Sequence, residues 1–576
     1  MRCWPTARGS GYGSSSGFAA DLKLQYSDCQ NRELNLRSSC FMEHENARAS
    51  DDGVTAKSSI PKGRGSQDME CSKKVVMTRR EVMRGLVAAS GGAMVPASIS
   101  GTSEPVHRAF DFAPVRERIL KAVANGQATG VAVAVAQGGR IVWEEGFGWA
   151  NREAGLKATA HTPFSLASIT KPFTTTTLMT LVAEGKLSLD EPANKYLQKS
   201  KITGPNGNPD GATLRRLGAH AGGLPSMFEH FFADEATKPP SAAMLLREYG
   251  RLAYPPGSCY EYGNIGYSAL GAVAANLTGT EFEALMTRRV LQPLGLHNSF
   301  YGTHTALLKT SAVRCDGSGN PIPYYTTSTP ASGEVYASAH DLARFAMFNL
   351  KNDLGLQSRI LDARWIDELH RPVFVGPSGT ATTFGWFSAT TKSGVHTVFK
   401  SGGQPGVATT MYMVPSENLA CLVLTNRSDG REFVFSICDQ MLATILPGWT
   451  EPDETVGPSR SPFTVTPEVL GLWEGTLGNG GADMRARLEI KSSDTATLAL
   501  ADKPAEKIVE TQSEGSALTG RTVGRIESMD ALRNEATNLA LKLTPQDGKL
   551  VGRILASANK PGTLLPYVLS LNRKAA

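Results

Sequence analysis

The chain lacks a strong excess of charge of either sign. Its 576 residues carry 59 Lys and Arg against 54 Asp and Glu, a formal net charge of only +5. No basic run is interleaved with aromatic residues, which is the pattern typical of nucleic-acid-binding proteins. No apolar run reaches the length of about 20 residues that a membrane-spanning helix needs. The sequence therefore predicts neither a nucleic-acid partner nor an integral membrane span.

Cysteine is scarce and scattered along the chain. Four of the eight cysteines precede residue 77, and the other four are Cys259, Cys315, Cys421 and Cys438. They form no CxxC pair and show no metal-ligand spacing, so neither a disulfide framework nor a zinc site is indicated. We therefore expect no metal ion and no organic cofactor.

The N-terminal hundred residues differ in character from the rest. Residues 1–76 are rich in Ser, Gly, Arg and Asp without apolar periodicity, which predicts disorder or an over-extended gene model. Residues 77–97 contain Arg79-Arg80, a weakly apolar stretch rich in Gly and Ala, and small residues near Ala97. They resemble a twin-arginine signal peptide, with a buried amphipathic helix as the alternative. This resemblance predicts a periplasmic or secreted protein whose true start is Met77 or Met69.

Residues 110–446 show strand patterns at both ends and mostly helical patterns between them. Gly130–Gln137 and Arg140–Gly148 flank Gly138-Gly139, a two-residue turn typical of a β-hairpin. Three further strand patterns follow the helical middle, at residues 396–400, 407–414 and 419–425. We predict an α/β (α+β) domain whose sheet is built from both ends of this region, with a helical insert between them.

The C-terminal part of the chain has a different pattern. Residues 447–467 contain five prolines among polar residues and are predicted to form a linker. Residues 468–573 show short runs that alternate between apolar and polar residues, separated by turn residues. This pattern predicts a small antiparallel β-barrel or sandwich.

The segment Ser168-Ile169-Thr170-Lys171 could supply an activated nucleophile. If it opens a helix, Ser168 and Lys171 share one face. A serine hydroxyl is a poor nucleophile at neutral pH until a neighbour takes its proton or stabilises the alkoxide, and Lys171 is the obvious neighbour. The same four-residue pattern also occurs at residues 59–62 and 557–560, so it needs support from elsewhere in the chain.

Two later clusters could complete such a site. Tyr262 and Asn264 are two residues apart in a glycine-bracketed loop, so a phenol and a carboxamide can address one site. The run Lys400–Gly403 (KSGG) ends a strand pattern, where glycines let a substrate backbone approach closely. Taken separately, each cluster has a structural alternative. Tyr262 and Asn264 could be a core tyrosine and a helix-capping asparagine, and the KSGG run could be a plain turn.

Three motifs thus occur in a fixed order: Ser168-x-x-Lys171, Tyr262-x-Asn264 and Lys400-Ser401-Gly402. Together they resemble the motifs of the class C β-lactamase and penicillin-binding serine hydrolase family, and the resemblance covers about residues 112–446. It implies a β-lactamase/transpeptidase-like antiparallel sheet flanked by helices, with a helical subdomain. Many members of the esterase and D-peptidase branch also carry an appended β-barrel, so residues 468–573 are expected to form a lipocalin-like barrel.

The resemblance implies a role for each matched residue. Ser168 would be the acylated nucleophile, Lys171 its charge partner, and Tyr262 the general base, with its pKa lowered between two lysines. Asn264 would hydrogen-bond Lys171 and the substrate amide. Lys400 would bind a substrate carboxylate or tune Tyr262.

The remaining matched positions concern the substrate carbonyl and the surrounding scaffold. The backbone N–H groups of Ser168 and Gly403 would form the oxyanion hole, with Ser401 and Gly402 in the same substrate-binding run. His220 and Glu334 also lie in matched segments, and we expect structural roles for them.

The expected activity is that of an exported, esterase-type serine hydrolase that forms an acyl-enzyme. Its small-molecule substrates would be esters or amides, including β-lactams and D-peptides. Lysine at position 400 favours an anionic substrate, whereas residues 403–406 (GQPG) resemble the esterase and D-peptidase branch. A D-alanyl-D-alanine carboxypeptidase or D-aminopeptidase is the alternative. From a different class, the alternative is a non-catalytic ligand-binding or sensor protein.

Overall fold

The computed structural model describes residues 110–302, 305–355, 360–481, 483–558 and 562–574. All of them belong to one of the two units into which the chain divides. The predicted extension 1–76 and the predicted signal peptide 77–97 lie outside the described residues. In the part of the chain that is described, no helix combines the length and apolarity needed to cross a lipid bilayer.

The first fourteen strands occupy residues 130–425. They are β1 Gly130–Gln137, β2 Arg140–Asn151, β3 Leu156–Lys157, β4 Phe164–Ser165, β5 Phe228–Phe232, β6 Ser299–Tyr301, β7 Tyr325–Thr327, β8 Val335–Ala337, β9 Phe374–Val375, β10 Ala381–Thr382, β11 Phe387–Thr390, β12 His396–Gln404, β13 Val407–Val414 and β14 Leu419–Thr425.

The α-helices of the described residues are mostly short. They are α1 Ala113–Ala124, α2 Thr170–Ala183, α3 Leu214–Gly218, α4 Ala242–Tyr249, α5 Asn264–Thr278, α6 Phe282–Met286, α7 Thr305–Leu308, α8 Ala339–Asn349, α9 Ala363–His370, α10 Arg431–Ile445 and α11 Met529–Arg533.

A nine-stranded antiparallel sheet organises residues 110–446. Its order is β3-β2-β1-β14-β13-β12-β11-β10-β9. The central pairing joins the two ends of this region, with Val131 opposite Thr425, as the strand patterns predict. The β1–β2 hairpin also turns at the predicted place, because Gly138 and Gly139 both have positive φ, 59° and 79°. Such angles suit the tight turns that match the twist of paired strands.

Alternate residues of β1 supply two apolar cores, one on each face of the sheet. Val131 and Val133 pack in the cluster that holds the buried residues of α1 and α10. Ala132 and Ala134 pack in the cluster that holds those of α2 and α8. The sheet therefore lies between helices on both sides, which is the predicted α/β architecture.

Helix α2 lies in the middle of the second core. Every residue from Thr170 to Leu181 is buried, and Phe173 stacks on Phe345 of α8 with ring centres 3.9 Å apart. Buried threonine hydroxyls need acceptors, and Thr177 donates to the carbonyl of Phe173 at 2.8 Å. Packing on all sides leaves this helix little freedom, so its N-terminal end is a rigid support.

The C-terminal residues form ten further strands. They are β15 Arg460–Pro462, β16 Gly471–Gly478, β17 Asp483–Ser492, β18 Thr495–Leu500, β19 Glu506–Lys507, β20 Val509–Glu514, β21 Ala517–Val523, β22 Asn538–Gln546, β23 Lys549–Ser557 and β24 Thr563–Arg573.

These strands curl into an all-β half-barrel, which confirms the predicted small C-terminal β architecture. The sheet follows the path β15-β20-β21-β22-β23-β24-β16-β17-β18-β19, and β5 joins it by pairing with β24. Residues 447–467, predicted as a linker, contain β15. Val456, also in this range, is fully buried in the core that contains Val131 and Val133. Ser557 is the first residue of another serine–x–x–lysine pattern, at residues 557–560. It is the last residue of strand β23 and does not begin a helix.

Candidate active site

Ser168 is half-buried and lies in an otherwise buried segment. From Thr162 to Leu181 it is the one residue that is not buried. It lies in a single 3-10 turn, Ala167–Ile169, that leads directly into α2. Ala167 has a φ of +47°, a conformation that costs free energy for a residue with a Cβ and that is often found at functional sites. The turn thus presents one hydroxyl to solvent from a rigid base.

Lys171 points its ammonium nitrogen at this hydroxyl. Its Nζ donates to Ser168 Oγ at 3.1 Å and to the carbonyl of Ser332 at 3.1 Å. The side chain is fully buried, so loss of hydration, reinforced by the charge of Lys400, holds the pKa of Lys171 well below its usual value. Such an amine holds its proton less tightly than an exposed lysine does.

Tyr262 approaches Ser168 from the opposite direction. Its hydroxyl donates to Ser168 Oγ at 2.8 Å, and the Nζ atoms of Lys171 and Lys400 lie 4.9 and 5.3 Å from its ring centre. Withdrawal of the phenol from water nevertheless raises the pKa of Tyr262, and the hydrogen bond to Ser168 only partly opposes this. The two lysines were expected to lower this pKa, whereas burial shifts it in the opposite direction.

The ring of His220 packs against the ring of Tyr262. The two rings stack with centres 4.2 Å apart and planes inclined by 28°. The Nδ1 atom of His220 accepts a hydrogen bond from the backbone N–H of Gly263 at 3.1 Å. Burial and the charges of Lys400 and Lys171 hold the pKa of His220 well below its usual value, so the ring is neutral. Its structural role, expected from sequence, is thus to hold the Tyr262 loop.

Asn264 is the first residue of α5, two positions after Tyr262. Its amide nitrogen donates to the carbonyl of Met227 at 2.8 Å rather than to a partner near Ser168. Its Oδ1 atom is buried and accepts no hydrogen bond from the described residues. The predicted bond to Lys171 is absent from the hydrogen bonds of the described residues.

Lys400 lies on β12, where that strand approaches the turn Ala167–Ile169 that contains Ser168. It is buried, with its Nζ 4.2 Å from the ring centre of Phe387, and burial lowers the pKa of Lys400 to about 7. The pairing of β12 with β11 ends at Phe399, whereas its pairing with β13 continues to Gln404. Within the described residues, one edge of β12 is therefore without a neighbouring strand from Lys400 onward.

Glycines fit this part of β12 against the Ser168 turn. A Cβ on Gly402 would lie 2.2 Å from the carbonyl oxygen of Leu166 and 3.0 Å from the backbone nitrogen of Ser168, so a larger residue does not fit. Gly403 is exposed, and a Cβ there would meet no atom within 4 Å. Ser401, which lies between Lys400 and Gly402 in the sequence, is half-buried. The structure thus brings the predicted KSGG run to the nucleophile.

Glu334 lies behind the Ser332 carbonyl that receives the Lys171 bond. It is fully buried, and its Oε1 atom accepts from the backbone N–H of Thr327 at 2.5 Å. Burial raises the pKa of Glu334 to about 7, and nearby Arg314 opposes the rise. These contacts agree with the structural role expected for Glu334.

Sequence reasoning missed a charged network next to Tyr262. Glu261 is buried and pairs with two cations of the C-terminal sheet, Arg553 on β23 and Lys542 on β22. Lys542 also pairs with Glu514 of β20. The only sequence signal was an acidic residue beside a candidate catalytic tyrosine, and its partners are almost 300 positions away (292 for Arg553).

The cluster around Ser168 contains groups that could act as nucleophile, base and acid. Among the described residues, the three-membered group of possible metal ligands lies elsewhere, on β2, the loop before β4 and α8. Ser168, Lys171 and Tyr262 can together move a proton to or from the serine hydroxyl. This is the chemistry of acyl transfer.

The sheet, its two helical layers and this serine–lysine–tyrosine cluster define the class: the β-lactamase and transpeptidase fold, whose members are generally serine hydrolases. The chain belongs to the Beta-lactamase family, whose model matches residues 115–437, more than half of its length.

Relatives and solved structures agree with this assignment. Protein flp of Staphylococcus aureus (strain COL) is 26% identical over 336 residues, which are 56% of this chain and 64% of that protein. The chain therefore spans less than two thirds of that relative. The crystal structure of SurE matches with a TM-score of 0.56 at 18% identity, covering 79% of this chain and 98% of SurE. The octameric penicillin-binding protein homologue from Pyrococcus abyssi matches with a TM-score of 0.50 at 20% identity, covering 80% of this chain and 100% of that chain. At these identities the structural likeness concerns the fold alone.

Proposed function

We propose that the protein is a serine hydrolase that acts through an acyl-enzyme. The observation that supports this most directly is that Ser168 Oγ lies 3.1 Å from Lys171 Nζ and 2.8 Å from the Tyr262 hydroxyl. Membership of a family of serine hydrolases supports it further. A non-catalytic sensor has no physical need for a buried lysine aimed at a solvent-accessible serine.

In the acylation step, Lys171 is the base. Its uncharged amine accepts the hydroxyl proton of Ser168 while Oγ bonds to the substrate carbonyl carbon. The carbonyl electron pair moves to oxygen and is stabilised by the backbone N–H groups of Ser168 and Gly403. When the tetrahedral intermediate collapses, Tyr262 donates its proton to the leaving group and recovers one from the Lys171 ammonium. Water then repeats the sequence in place of Ser168 and releases the acyl group.

This assignment differs from the roles that the resemblance implies, in which Tyr262 is the general base and Lys171 is the charge partner of Ser168. A general base must be able to hold and release a proton near the working pH. Burial lowers the pKa of Lys171 and raises that of Tyr262, so the amine is the better base and the phenol the better proton donor.

The substrate proposed first is an ester, with amides that include β-lactams hydrolysed by the same residues. Lys400 supports an anionic substrate, because a buried ammonium gains from a carboxylate partner. A D-alanyl-D-alanine carboxypeptidase or D-aminopeptidase is the second candidate, supported by residues 403–406 (GQPG), which resemble the esterase and D-peptidase branch.

One experiment tests the reaction and ranks the substrates. The purified full chain is offered a nitrophenyl ester, a chromogenic cephalosporin and a D-Ala-D-Ala peptide, and the acyl-enzyme is sought by mass spectrometry. Ser168→Ala should abolish turnover and labelling, whereas Ser188→Ala, at an exposed serine, should change neither. Turnover that survives in Ser168→Ala disproves the proposal.

We further propose export, with the start at Met77 or Met69 and the domain limits 110–446 and 468–573. The twin-arginine-like segment supports export. Mass spectrometry of the native protein tests it: mature protein from the periplasm or medium should begin near residue 98. Peptides from residues 1–70 in the mature protein would contradict the proposal.

A further inference from the structure

A second cluster of chemically reactive side chains lies away from Ser168. It consists of Glu144, His161 and His340, whose ligand atoms all lie within 4.8 Å of one another. Glu144 is on β2, His161 in the loop between β3 and β4, and His340 in the first turn of α8. Two imidazoles and a carboxylate are a donor set that suits Zn²⁺ and its divalent first-row neighbours rather than Mg²⁺ or Ca²⁺.

The distances within the cluster are close to those of a metal site. Glu144 Oε2 lies 2.9 Å from His340 Nδ1, and Glu144 Oε1 lies 3.9 Å from His161 Nε2. In a tetrahedral zinc site with bonds of about 2.1 Å, neighbouring ligand atoms lie about 3.4 Å apart. Each of these two separations differs from that value by about half an ångström, which small movements of the Glu144 carboxylate and of His161, with 55% of its side chain accessible, can correct.

The backbone already holds the three segments together. The backbone N–H of His340 donates to the carbonyl of Ala160 at 3.1 Å, which joins α8 to the His161 loop. Gly146 on β2 lets the same loop approach closely, since a Cβ there would lie 2.3 Å from Cα of Thr159. Ordering the ligands therefore costs little further conformational entropy when an ion binds.

We propose that Glu144, His161 and His340 form a binding site for a divalent transition-metal ion such as Zn²⁺, with water completing the coordination. The ion cross-links β2, the loop that leads to the Ser168 turn, and the N-terminal end of α8. Three protein ligands with one open position are enough to hold zinc. The site does not depend on the proposed hydrolase activity, because none of its ligands contacts Ser168, Lys171 or Tyr262 in the described structure.

The probe is ZnCl₂, titrated into the chelator-treated full chain by calorimetry. We expect one ion per chain and a rise in the unfolding temperature with zinc concentration, since an ion that binds only the folded state stabilises it. Co²⁺ should give the intense visible absorption of a four-coordinate site.

His161→Ala removes the exposed ligand with little risk to folding and should weaken zinc binding at least about 100-fold. Glu144→Gln should do the same. His396→Ala removes an exposed histidine elsewhere and should leave the affinity unchanged. Zinc affinity that is equal in His161→Ala and the unaltered chain, or no binding at micromolar zinc, overturns the proposal.

Discussion

At the scale of single residues, the protonation of three neighbours decides what Ser168 can do. Lys171 and Lys400 are both buried, and each loses affinity for its proton because water is excluded from it. Tyr262 holds its proton more tightly for the same reason. The site therefore combines an amine that holds its proton weakly with a phenol that holds its proton tightly, both in contact with the same oxygen.

Tyr262→Phe tests whether the phenol acts on the leaving group. As a general acid, it matters most when the leaving group is a poor one, so we expect kcat/KM to fall about 100-fold or more for an alkyl ester. The fall should be much smaller for a nitrophenyl ester, whose leaving group needs no proton. Steady-state kinetics on the two esters measures the difference.

The control for this variant is Tyr267→Phe, which removes a buried hydroxyl that donates to the carbonyl of Gly218. It should leave both rates close to those of the unaltered chain. Equal losses on both esters in Tyr262→Phe would instead make the phenol the base and return Lys171 to a supporting role.

Lys400 should make the preference for anionic substrates depend on pH. Because its pKa is lowered to about 7, Lys400 is cationic below that pH and neutral above it. The kcat/KM of a carboxylate-bearing ester, divided by that of a neutral ester with the same leaving group, should fall about tenfold between pH 6 and pH 8.5, equivalent to about 1.4 kcal/mol. The ratio cancels the titration of Lys171, which affects both substrates alike.

Lys400→Gln should give a ratio that is low and independent of pH. Lys392→Gln, at an exposed lysine near the start of the same strand, should retain the pH dependence. A ratio that stays constant from pH 6 to pH 8.5 in the unaltered chain would show that Lys400 does not contact the substrate carboxylate.

At the scale of elements, the Tyr262 loop is held from two sides. His220 stacks on the tyrosine ring, and Glu261 anchors the preceding residue to β22 and β23 through Lys542 and Arg553. A buried carboxylate between two cations stabilises only when all partners are present, and its removal leaves charges unpaired. The half-barrel thus helps to position a residue of the proposed active site.

Glu261→Gln should lower both stability and turnover. Buried Arg553 loses its carboxylate partner and Lys542 keeps only Glu514, which costs about 3–5 kcal/mol of unfolding free energy, and the loop that holds Tyr262 loosens. We expect kcat to fall with KM little changed, because the substrate contacts on β12 are intact. In a Tyr262→Phe background the same substitution should have almost no further effect on kcat, which a double-mutant cycle measures.

Asp483→Asn is the matched control for Glu261→Gln. It breaks another ion pair that joins the two parts of the chain, between Asp483, the first residue of β17, and Arg251. Stability should fall moderately and kcat should not change. If both variants lower kcat in proportion to stability, Glu261 has no particular positioning role.

The sequence predicted those features that depend on local pattern. Alternating and apolar runs located the β1–β2 hairpin and the return of β12, β13 and β14, and the motif order brought Ser168, Lys171 and Tyr262 together correctly. Contacts between distant segments were not predictable: the Glu261 network, the bond from Asn264 to Met227, and the addition of β5 to the half-barrel depend on tertiary packing. The direction of the Tyr262 pKa was missed because desolvation cannot be read from neighbours in sequence.

At the scale of the whole molecule, residues 110–446 and the half-barrel are joined by more than one kind of contact. Strand β5 pairs with β24, and the side chain of Asn206 donates to the carbonyl of Leu569 at 3.0 Å. The hydroxyl of Tyr254 donates to the carbonyl of Lys542 at 3.1 Å, beside the buried ion pairs. Buried apolar residues of both regions also belong to one cluster, which independent domains connected by a flexible linker lack.

The two regions should therefore unfold together. Loss of the half-barrel would expose Glu261 without its cations and leave β5 unpaired on one side, so a state with only one region folded is unfavourable. Hydrogen exchange measured by mass spectrometry along a urea series tests this, since it reports β13–β14 and β22–β23 separately. We expect both pairs of strands to lose protection at the same urea concentration, and catalytic activity to disappear with them. Exchange of β22–β23 at a clearly lower concentration, with activity retained, would show that the half-barrel is an independent module and that Glu261 does not need it.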